Sequence, residues 1–454
     1  MATDLQRAYE ALTAKQNNYA ALWNYYDGKQ PLVYSTERLR TIFSNVNASF
    51  TQNWCAVIVD ATLDRLNLES FTVENDDTAT NTLNTLWTAT GMDLDDRDAH
   101  LATLVTGEAF VIAWSDGTQI HAFYNDPRLC HAFYDPTNPR ELSLVAKWWV
   151  SEDDEKRHIS LYYADHLENY VSKGKAVNVS SPDSFEPDVP DTEPNPWGRI
   201  PVFHLRPERR VIKGELTDSI RDLQDATNKL FADMMVAAEF GAYKQRWIIS
   251  NAGNLGQLKN APNEIWDIPA GDGQGQQTTV GEFSATDLAN YLDAMDKLAS
   301  SMAIISRTPK HYFFNQGGDP SGEALIAMEA PLNKKCERLI DIMQSAWRQV
   351  AAFVLELAGV TVDPANITPN FDDPTTVQPL TQAQIRQANV AAGMPLVTQL
   401  RDEGWSADQL DEMEADKDAA ASSQQASLAS ALVDAQRRMD QGIPGQAPGQ
   451  QQGA

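Results

Sequence analysis

The sequence predicts an α+β protein that is mainly helical and divided into more than one packed region. Apolar residues recur at helical spacing over three long segments, 215–244, 283–305 and 322–359. Between residues 107 and 207 the apolar period changes to two, which is typical of strands. The length of 454 residues exceeds the size at which a single hydrophobic core stops growing, so we expect at least two cores.

The first hundred residues are expected to be mainly helical. An amphipathic pattern begins near Leu5 and ends at Tyr26, and Gly28 is expected to stop this helix. Two further helical patterns cover about 50–66 and 78–104.

A sheet region is predicted from 107 to 207. Two alternating runs flank Ser115-Asp116-Gly117-Thr118, and an Asp-Gly pair in that position is a strong hairpin signal. Further strands are expected where the alternation returns, at 142–150, 157–163, 167–172 and 200–205. The segment 180–198 contains five prolines and is predicted to be a loop at the edge of the sheet.

A small exposed insertion is predicted between two of the long helices. The first helix, 215–244, has about 30 residues and would be about 45 Å long at 1.5 Å per residue. Short strands are expected at 245–250 and 264–268, and a Gly/Gln-rich loop at 271–277. These short elements predict an αβ insertion.

The start of the second long helix carries clear signals. Phe283 and Leu288 can form a hydrophobic staple around Ser284 as the N-cap, with Asp287 at the capping-box position. The helix is therefore expected to begin at Ser284.

A break at 307–321 separates that helix from a third and longer one. Asp319, with Pro320 at the first helical position, is expected to start this helix, and Gly359 is expected to end it. Pro331 lies inside the pattern, where its ring and its missing N–H should kink the helix.

A helical region is also expected near the C-terminus, over about 376–435. Thr381 and Gln384 form a capping box at its start. The last residues, 440–454, are rich in glycine, glutamine and proline and are expected to be disordered.

The composition excludes an ordinary DNA-binding protein. With 63 acidic and 36 basic residues the net charge is -27, so the chain as a whole repels phosphate. This charge serves either solubility or a functional acidic surface. Cys55, Cys130 and Cys336 lie far apart without a CxxC pair and are predicted to be free thiols. Without a signal-peptide pattern or an 18-residue apolar stretch, we expect a protein that is made in the cytoplasm and has no membrane segment.

No catalytic motif is present. The sequence contains no Walker A, GxSxG or HExxH pattern, and the run 271–275 lacks the strand and helix that a dinucleotide site requires. His121 and His131, the latter beside Cys130, are predicted to be satisfied or exposed rather than metal ligands. The acidic run 93–98 is predicted to be a solvated helix start rather than a cation site. We therefore predict no enzyme activity, no cofactor and no metal site.

The order of elements resembles that of portal proteins of long-tailed phages, over about residues 1–435. The matching pieces are Trp23-Asn-Tyr-Tyr-Asp-Gly28, Trp197-Gly-Arg-Ile-Pro-Val-Phe203, Leu223-Gln-Asp-Ala-Thr-Asn-Lys-Leu230 and Ser321-Gly-Glu-Ala324. The resemblance implies a portal fold, and it assigns 1–210 to the wing, 215–244 and 283–306 to the stem helices, 245–282 to the clip, 307–321 to the tunnel loop, 322–360 to the kinked helix that joins wing and channel, and 376–435 to the crown.

The resemblance also implies partners and a location. Portal proteins of this kind form a closed ring, usually of twelve copies, through which double-stranded DNA passes without sequence-specific contacts. The expected partners are the large terminase subunit, a head-completion adaptor protein, and the major capsid and scaffolding proteins. The chain would be assembled in the host cytoplasm and be found in the virion, at the portal vertex of the capsid. Because the ATPase of this family is the separate terminase chain, the missing Walker A pattern agrees with the resemblance.

Two sets of contact residues follow from these assignments. We expect the tunnel-loop residues to line the narrowest part of the channel and touch the DNA backbone; they are Arg307, Lys310, His311, Tyr312, Phe313, Phe314, Asn315 and Gln316. In the alternative, residues 312–314 pack between subunits and only the polar residues face DNA. We expect the clip to contact the terminase or the adaptor through Trp247, Ile249, Asn254, Lys259, Trp266 and Asp272.

Two other classes of protein remain possible from the sequence. One is another head–tail or minor head component, which would differ in oligomer size. The other is a cytosolic hydrolase with an unrecognised site, which would need a pocket of convergent titratable groups.

Overall fold

The structure, a computed structural model, forms two compact units, residues 1–375 and 376–454. The residues that it describes are 3–31, 51–208, 210–242, 246–249, 279–282, 287–313, 321–375, 386–402, 410, 413–417, 419, 422, 430, 432–433 and 436–437. Within these residues no helix is long and apolar enough to span a bilayer.

In the described part of the first hundred residues the helices are α1 (Asp4–Tyr26), α2 (Trp54–Leu63), α3 (Asp77–Ala89) and α4 (Met92–Thr106). Gly28 adopts a φ of +70° just after α1, so its predicted role as a helix stop is confirmed. The single helix predicted over 78–104 is wrong. Gly91, with a φ of +77°, interrupts it and separates α3 from α4.

The acidic run 93–98 lies at the start of α4, as predicted. Asp93 and Asp95 occupy the first turn, where the helix dipole favours negative charge. The run is not fully solvated, because Asp96 is buried and this burial raises its pKa to about 7. Among the described residues, no group of three or more His, Cys, Asp or Glu side chains is arranged to hold a metal ion.

Two antiparallel sheets follow, built from β2 (Ala109–Ser115), β3 (Ile120–Asn125), β4 (Cys130–Tyr134), β5 (Leu142–Val150), β6 (Lys156–Tyr162), β7 (His166–Lys175), β8 (Phe185–Pro194) and β9 (Val202–Leu205). The smaller sheet has the order β3-β2-β9 and the larger one β4-β5-β6-β7-β8. The predicted hairpin is confirmed. Asp116 stabilises its turn by accepting hydrogen bonds from the backbone N–H groups of Thr118 and Gln119, at 2.8 and 2.7 Å.

The loop predicted over 180–198 is wrong in its central part, which forms the edge strand β8. Pro187 lies opposite Tyr170 and Pro194 opposite His166. An edge strand tolerates proline because one side of its backbone needs no ladder hydrogen bonds. Residues 188–191 lie opposite Asn169 alone, so the strand carries an irregular bulge of several residues there.

Two further strands were not predicted. The strand β1 (Leu68–Val73) pairs antiparallel with β12 (Ile367–Phe371), about 300 residues later in the chain. A pairing over such a distance leaves no local signal, and each strand is too short to show a clear period.

Two long helices form a hairpin, α5 (Asp218–Ala242) and α6 (Ala289–Ser306), which pack against each other. Between them β10 (Arg246–Ile249) pairs with β11 (Thr279–Glu282), a strand that was not predicted. The strand and loop predicted at 264–268 and 271–277 lie outside the described residues.

The predicted start of α6 at Ser284 is wrong. The helix begins at Ala289 with Leu288 at the N-cap position, five residues after Ser284. Asp287 does not complete a capping box. Its Oδ1 accepts a hydrogen bond from the Ala289 N–H at 2.9 Å, two residues on, which is the local bond that aspartate often makes before a helix.

The longest helix, α7 (Gly322–Leu357), has 36 residues and continues through Pro331. The helix begins at 322, the first residue of the predicted segment 322–360, but the predicted cap at Asp319 is wrong. The N-cap is Ser321, whose Oγ accepts a hydrogen bond from the Ala324 N–H at 3.3 Å, and the proposed starting residues 319 and 320 lie outside the described residues. The helix ends as predicted, with Gly359 at a φ of +83°. The kink at Pro331 stays a prediction.

In the second unit, residues 386–391 and α8 (Leu396–Asp402) are helical. The helical character predicted for this region is confirmed at these positions. Thr381, Gln384 and the tail 440–454 lie outside the described residues.

The three cysteines are free, as predicted, and all three are buried. Burial disfavours the thiolate and raises the pKa of Cys55 to about 12 and that of Cys336 to about 11. These thiols therefore act as small apolar groups of the core.

A buried ionic group joins α1 to the smaller sheet. Glu108 is 1% exposed and accepts hydrogen bonds from Lys15 Nζ at 2.9 Å and from Tyr19 Oη at 2.6 Å. His204 Nε2 lies 2.9 Å from Glu108, and the Oη of Tyr134 lies 2.9 Å from His204 Nδ1, so a neutral His204 with its proton on Nε2 satisfies both contacts. Burial opposes ionisation of Glu108, but the hydrogen bond from His204 and the charge of Lys15 outweigh it and lower the pKa of Glu108 to about 2.

Glu108→Gln should lower the free energy of unfolding by about 3 kcal/mol, because it leaves Lys15 buried without a counter-charge. Urea denaturation would measure this change. The matched control is Glu10→Gln on the exposed side of α1, which should change stability by less than about 0.5 kcal/mol. Equal losses in the two variants would contradict the role given to Glu108.

Stability should also fall in mild acid because of His100. This side chain is fully buried, its Nε2 accepts a hydrogen bond from Trp347 Nε1 at 2.9 Å, and burial lowers its pKa from 6.5 to about 4. Between these values the unfolded chain binds a proton that the folded chain does not bind. The contribution of His100 is therefore complete above pH 6.5, and about 3 kcal/mol of it is lost as the pH falls to about 4.

The measurement is the free energy of unfolding of the original protein and of His100→Gln between pH 6.5 and 4. The variant should show a shallower decline. The control is His166→Gln on the surface, where a carboxylate raises the pKa of the histidine, so its loss should steepen the decline slightly. An unchanged slope in His100→Gln would refute the assignment.

Candidate functional site

A short basic segment, residues 307–313, directly follows α6 and precedes α7 in the chain. Arg307 directly follows α6, adopts a left-handed φ of +58° and exposes its side chain. Ser306 Oγ donates to the Met302 carbonyl at 2.8 Å and accepts from the Thr308 N–H at 3.3 Å. The backbone is thus held at the point where Arg307 leaves the helix, and its strained conformation is maintained by these contacts.

Lys310 is the second basic residue of the segment. Its ammonium group lies 2.6 Å from Asp296 on α6. Both side chains are partly exposed, so the ion pair is weak and can exchange for another anion.

Tyr312 joins three elements. Its hydroxyl donates to Glu329 Oε1 of α7 at 3.2 Å and accepts from Arg65 Nη2 at 3.1 Å. Arg65, just after α2, also donates to Glu329 Oε2 at 3.1 Å. This largely buried triad fixes the segment to α7 and to the end of α2.

Phe313 is packed inside the chain. It is 8% exposed, and its ring meets Trp54 edge-on at 5.8 Å between centroids. This placement differs from the expectation that Phe313 lines a channel. The residue that its ring contacts, Trp54, belongs to the same chain. His311 is half-buried, while residues 314–316 lie outside the described residues.

Additional basic residues surround the start of the segment. A cavity of about 220 Å³ beside Arg307 is lined by Lys213, Lys335 and Arg338. Lys335 Nζ donates to Glu215 Oε2 at 2.9 Å and to the Ser306 carbonyl at 3.1 Å. Reasoning from the sequence missed these residues. The three lie in separate parts of the chain, and only tertiary packing brings them together.

A buried network of amide side chains fixes the N-terminal half of α5. Gln224 Oε1 accepts hydrogen bonds from the Trp54 and Cys55 N–H groups, at 2.9 and 3.1 Å, and so caps the first turn of α2 from another helix. Asn228 Oδ1 accepts from the Gln52 N–H at 3.0 Å. These amide side chains therefore fix the position of α5 against the start of α2.

Two glycines fix the chain just before α5. A Cβ atom on Gly107 would lie 2.4 Å from the backbone nitrogen of Lys213, and one on Gly214 would lie 2.4 Å from the Leu104 carbonyl oxygen. The Glu215 N–H donates to the same carbonyl at 2.7 Å. Only glycine permits this close crossing of two backbones.

The predicted clip residues are described only in part. Trp247 lies on β10 opposite Gly281 of β11, and its ring covers the glycine so closely that a Cβ atom there would lie 2.4 Å from it. Ile249 is 65% exposed at the end of the same strand. Asn254, Lys259, Trp266 and Asp272 lie outside the described residues.

Comparison with known proteins decides the family. The family model described as "Phage portal protein, SPP1 Gp6-like" matches residues 6–425. The chain belongs to this family of phage portal proteins.

Two portal proteins of mycobacteriophages are similar to it. The portal protein of Mycobacterium phage D29 is 24% identical over 343 residues, which cover 70% of this chain and 68% of that protein. The portal protein of Mycobacterium phage L5 is 24% identical over 386 residues, or 78% and 76% of the two chains. A chain of the solved "Virion of native gene transfer agent (GTA) particle" matches with a TM-score of 0.43 and 11% identity, over 80% of this chain and 92% of that chain.

The family predicted from the order of elements is therefore confirmed, and it is a structural family rather than a family of enzymes. In this portal protein the basic segment 307–313 is attached to a helical hairpin, and its aromatic residues serve mainly to anchor it.

Phe313→Ala should loosen this segment, because it removes a buried ring from its contact with Trp54. We expect a loss of about 3 kcal/mol in the free energy of unfolding and faster amide hydrogen exchange over 308–313. Hydrogen-exchange mass spectrometry would locate the change. Arg307→Ala, at an exposed position of the same segment, is the control and should leave exchange unchanged. Exchange unaffected by Phe313→Ala would contradict the anchoring role.

Proposed function

We propose that this portal protein is one subunit of a closed ring at one vertex of the capsid, through which double-stranded DNA is packaged and ejected. The observation that carries the proposal is the hairpin of α5 and α6, which leads directly into the basic segment 307–313 held on α7. A long hairpin repeated around a rotation axis would form the wall of a channel, because head-to-tail contacts between identical subunits close into a ring.

Each segment has a place in this proposal. Helices α5 and α6 are the stem, 245–282 the clip, 307–321 the tunnel loop and 1–210 the wing. The helix α7 joins wing and channel, and 376–435 is the crown. Of the tunnel-loop residues, we propose that Arg307, Lys310 and residues 314–316 contact the DNA backbone, while Tyr312 and Phe313 hold the loop in place.

The net charge of -27 suits passage of DNA rather than binding. A wall rich in carboxylates weakens the attraction for phosphate that would otherwise hold the duplex. Two cations per subunit, Arg307 and Lys310, then give contacts that are numerous around a ring but individually weak.

The clip is the proposed contact for other proteins. Trp247 and Ile249 offer apolar area on a short two-stranded ribbon, and such a ribbon is marginal in stability until something covers it. We propose that the clip docks the large terminase subunit during packaging and a head-completion adaptor afterwards, while the wing meets the capsid and scaffolding proteins.

The ring is tested by the native mass of the purified protein together with negative-stain images. Twelve chains of 50.3 kDa give a mass of about 600 kDa, and the images should show a central hole. A monomer or dimer that persists at high concentration would refute the proposal. A small ring without a stem would favour a different head–tail component.

The contact with DNA is tested by replacing both Arg307 and Lys310 with alanine. Rings should still assemble, because Arg307 is exposed and the pair of Lys310 with Asp296 is weak, but the length of DNA packaged per capsid should fall severalfold. Arg97→Ala, which removes an exposed arginine from α4, is the control and should package normally. Normal packaging by the double variant would remove these two residues from the proposed channel.

A further inference from the structure

A second cleft of the first unit lies far along α7 from the basic segment. Its volume is about 600 Å³, and it runs between β9 and the outer side of α7. The apolar part of its lining includes Phe203 on β9 and Ile342, Met343 and Ala346 on α7. This size is within the range of clefts that hold a ligand or a short peptide segment.

The rim of the cleft is basic. Arg206 stacks its guanidinium over the ring of Tyr134 at 3.9 Å and donates one hydrogen bond to the Pro139 carbonyl, at 3.3 Å. Arg140 and Arg206 have no ion pair among the described residues, whereas Arg199 is paired with Glu356. Glu141 is the acidic residue in the lining. On a chain with a net charge of -27, two uncompensated arginines beside an apolar floor are unusual.

We propose that this cleft binds an acidic peptide segment that carries an aliphatic side chain and belongs to a different protein. The two arginines would bind its carboxylates, since the planar guanidinium donates two parallel hydrogen bonds to a carboxylate. The aliphatic side chain would be buried against Ile342 and Met343. Stacking on Tyr134 fixes the guanidinium of Arg206 beforehand, which reduces the entropy lost on binding.

The acidic strand β8 of a second copy is a poorer occupant. Asn195, just after β8, donates hydrogen bonds to the Arg199 and Tyr163 carbonyls, so the end of this strand is attached to the cleft wall of its own chain. The bulge at 188–191 ends four residues before Asn195, or about 13 Å along the strand. A head-to-tail contact requires the two complementary surfaces on opposite sides of the subunit, and these lie on the same side.

A DNA backbone is also a poorer occupant. Protein surfaces that bind DNA are more polar and more positively charged than surfaces that bind proteins. The floor of this cleft is apolar, and a phosphate backbone offers nothing to cover it.

The probe for the test is a fluorescein-labelled nine-residue peptide of alternating aspartate and leucine, titrated with the full-length protein and followed by fluorescence anisotropy. We expect a dissociation constant below about 100 μM at low salt, weaker at high salt. The same peptide with asparagine in place of aspartate should bind at least about tenfold more weakly.

Four variants and one control test the location. Arg206→Ala and Arg140→Ala should each weaken binding about tenfold. Arg157→Ala is the matched control, because Arg157 also lies over an aromatic ring, that of Trp148 at 4.5 Å, but does not line the cleft. Ser345, exposed on α7 at the cleft, allows the charge to be changed in both directions: Ser345→Glu should weaken binding about threefold and Ser345→Lys should strengthen it about threefold.

Three results would overturn the proposal. The first is no binding of the acidic peptide, or binding that the cleft variants leave unchanged. The second is a labelled DNA duplex that binds more tightly than the peptide and loses affinity in Arg206→Ala. The third is a peptide of residues 183–194 that binds tenfold more tightly than the probe, which would make the cleft a contact between copies.

Discussion

The buried face of helix α7 is the constraint on which the first unit depends. Trp347, Val350 and Phe353 are fully buried there, and the ring of Phe353 meets those of Trp197 and Phe203 from the sheet region. The same helix contacts α3, β2, β9 and β12. A helix of 36 residues is about 54 Å long, so the elements of the first unit that pack along it are positioned relative to one another.

The first half of α7 also positions the basic segment. Glu329 receives hydrogen bonds from Tyr312 and Arg65, and six residues later Lys335 binds both the Glu215 carboxylate and the Ser306 carbonyl. Glu215 precedes α5 and Ser306 ends α6. The ammonium group of Lys335 therefore links the start of α5 to the end of α6. A displacement of this part of α7 would therefore move the hairpin and the segment together, unless these buried polar contacts were broken at a cost of several kcal/mol.

The sequence predicts those parts of the fold that local physics determines. Helix periods, the Asp116-Gly117 hairpin and the glycine stops at Gly28 and Gly359 were correct, since each depends on residues close in the chain. The pairing of β1 with β12 and the joining of Lys213, Lys335 and Arg338 at one cavity could not be predicted, since distant segments create them. At the candidate site the sequence identified the basic segment but not its anchors. In a sequence, an aromatic residue beside a basic one looks the same whether its side chain is exposed or buried. The burial of Phe313 becomes evident only from its contact with Trp54 in the folded chain.

On a chain of this charge, the position of an uncompensated cation matters more than the number of cations. Many basic residues are neutralised by neighbours one turn away, as Lys229 is by Asp233. Arg307, Arg140 and Arg206 have no such neighbour among the described residues. Beyond about 8 Å salt screens the fields of all these charges, so each cation acts only at short range. Such cations can hold only an anion that comes close to them, such as the phosphate that we propose for Arg307 or the carboxylate that we propose for Arg140 and Arg206. The excess of carboxylates thus disfavours anions that are held loosely. The geometry around each cation then determines which anion binds.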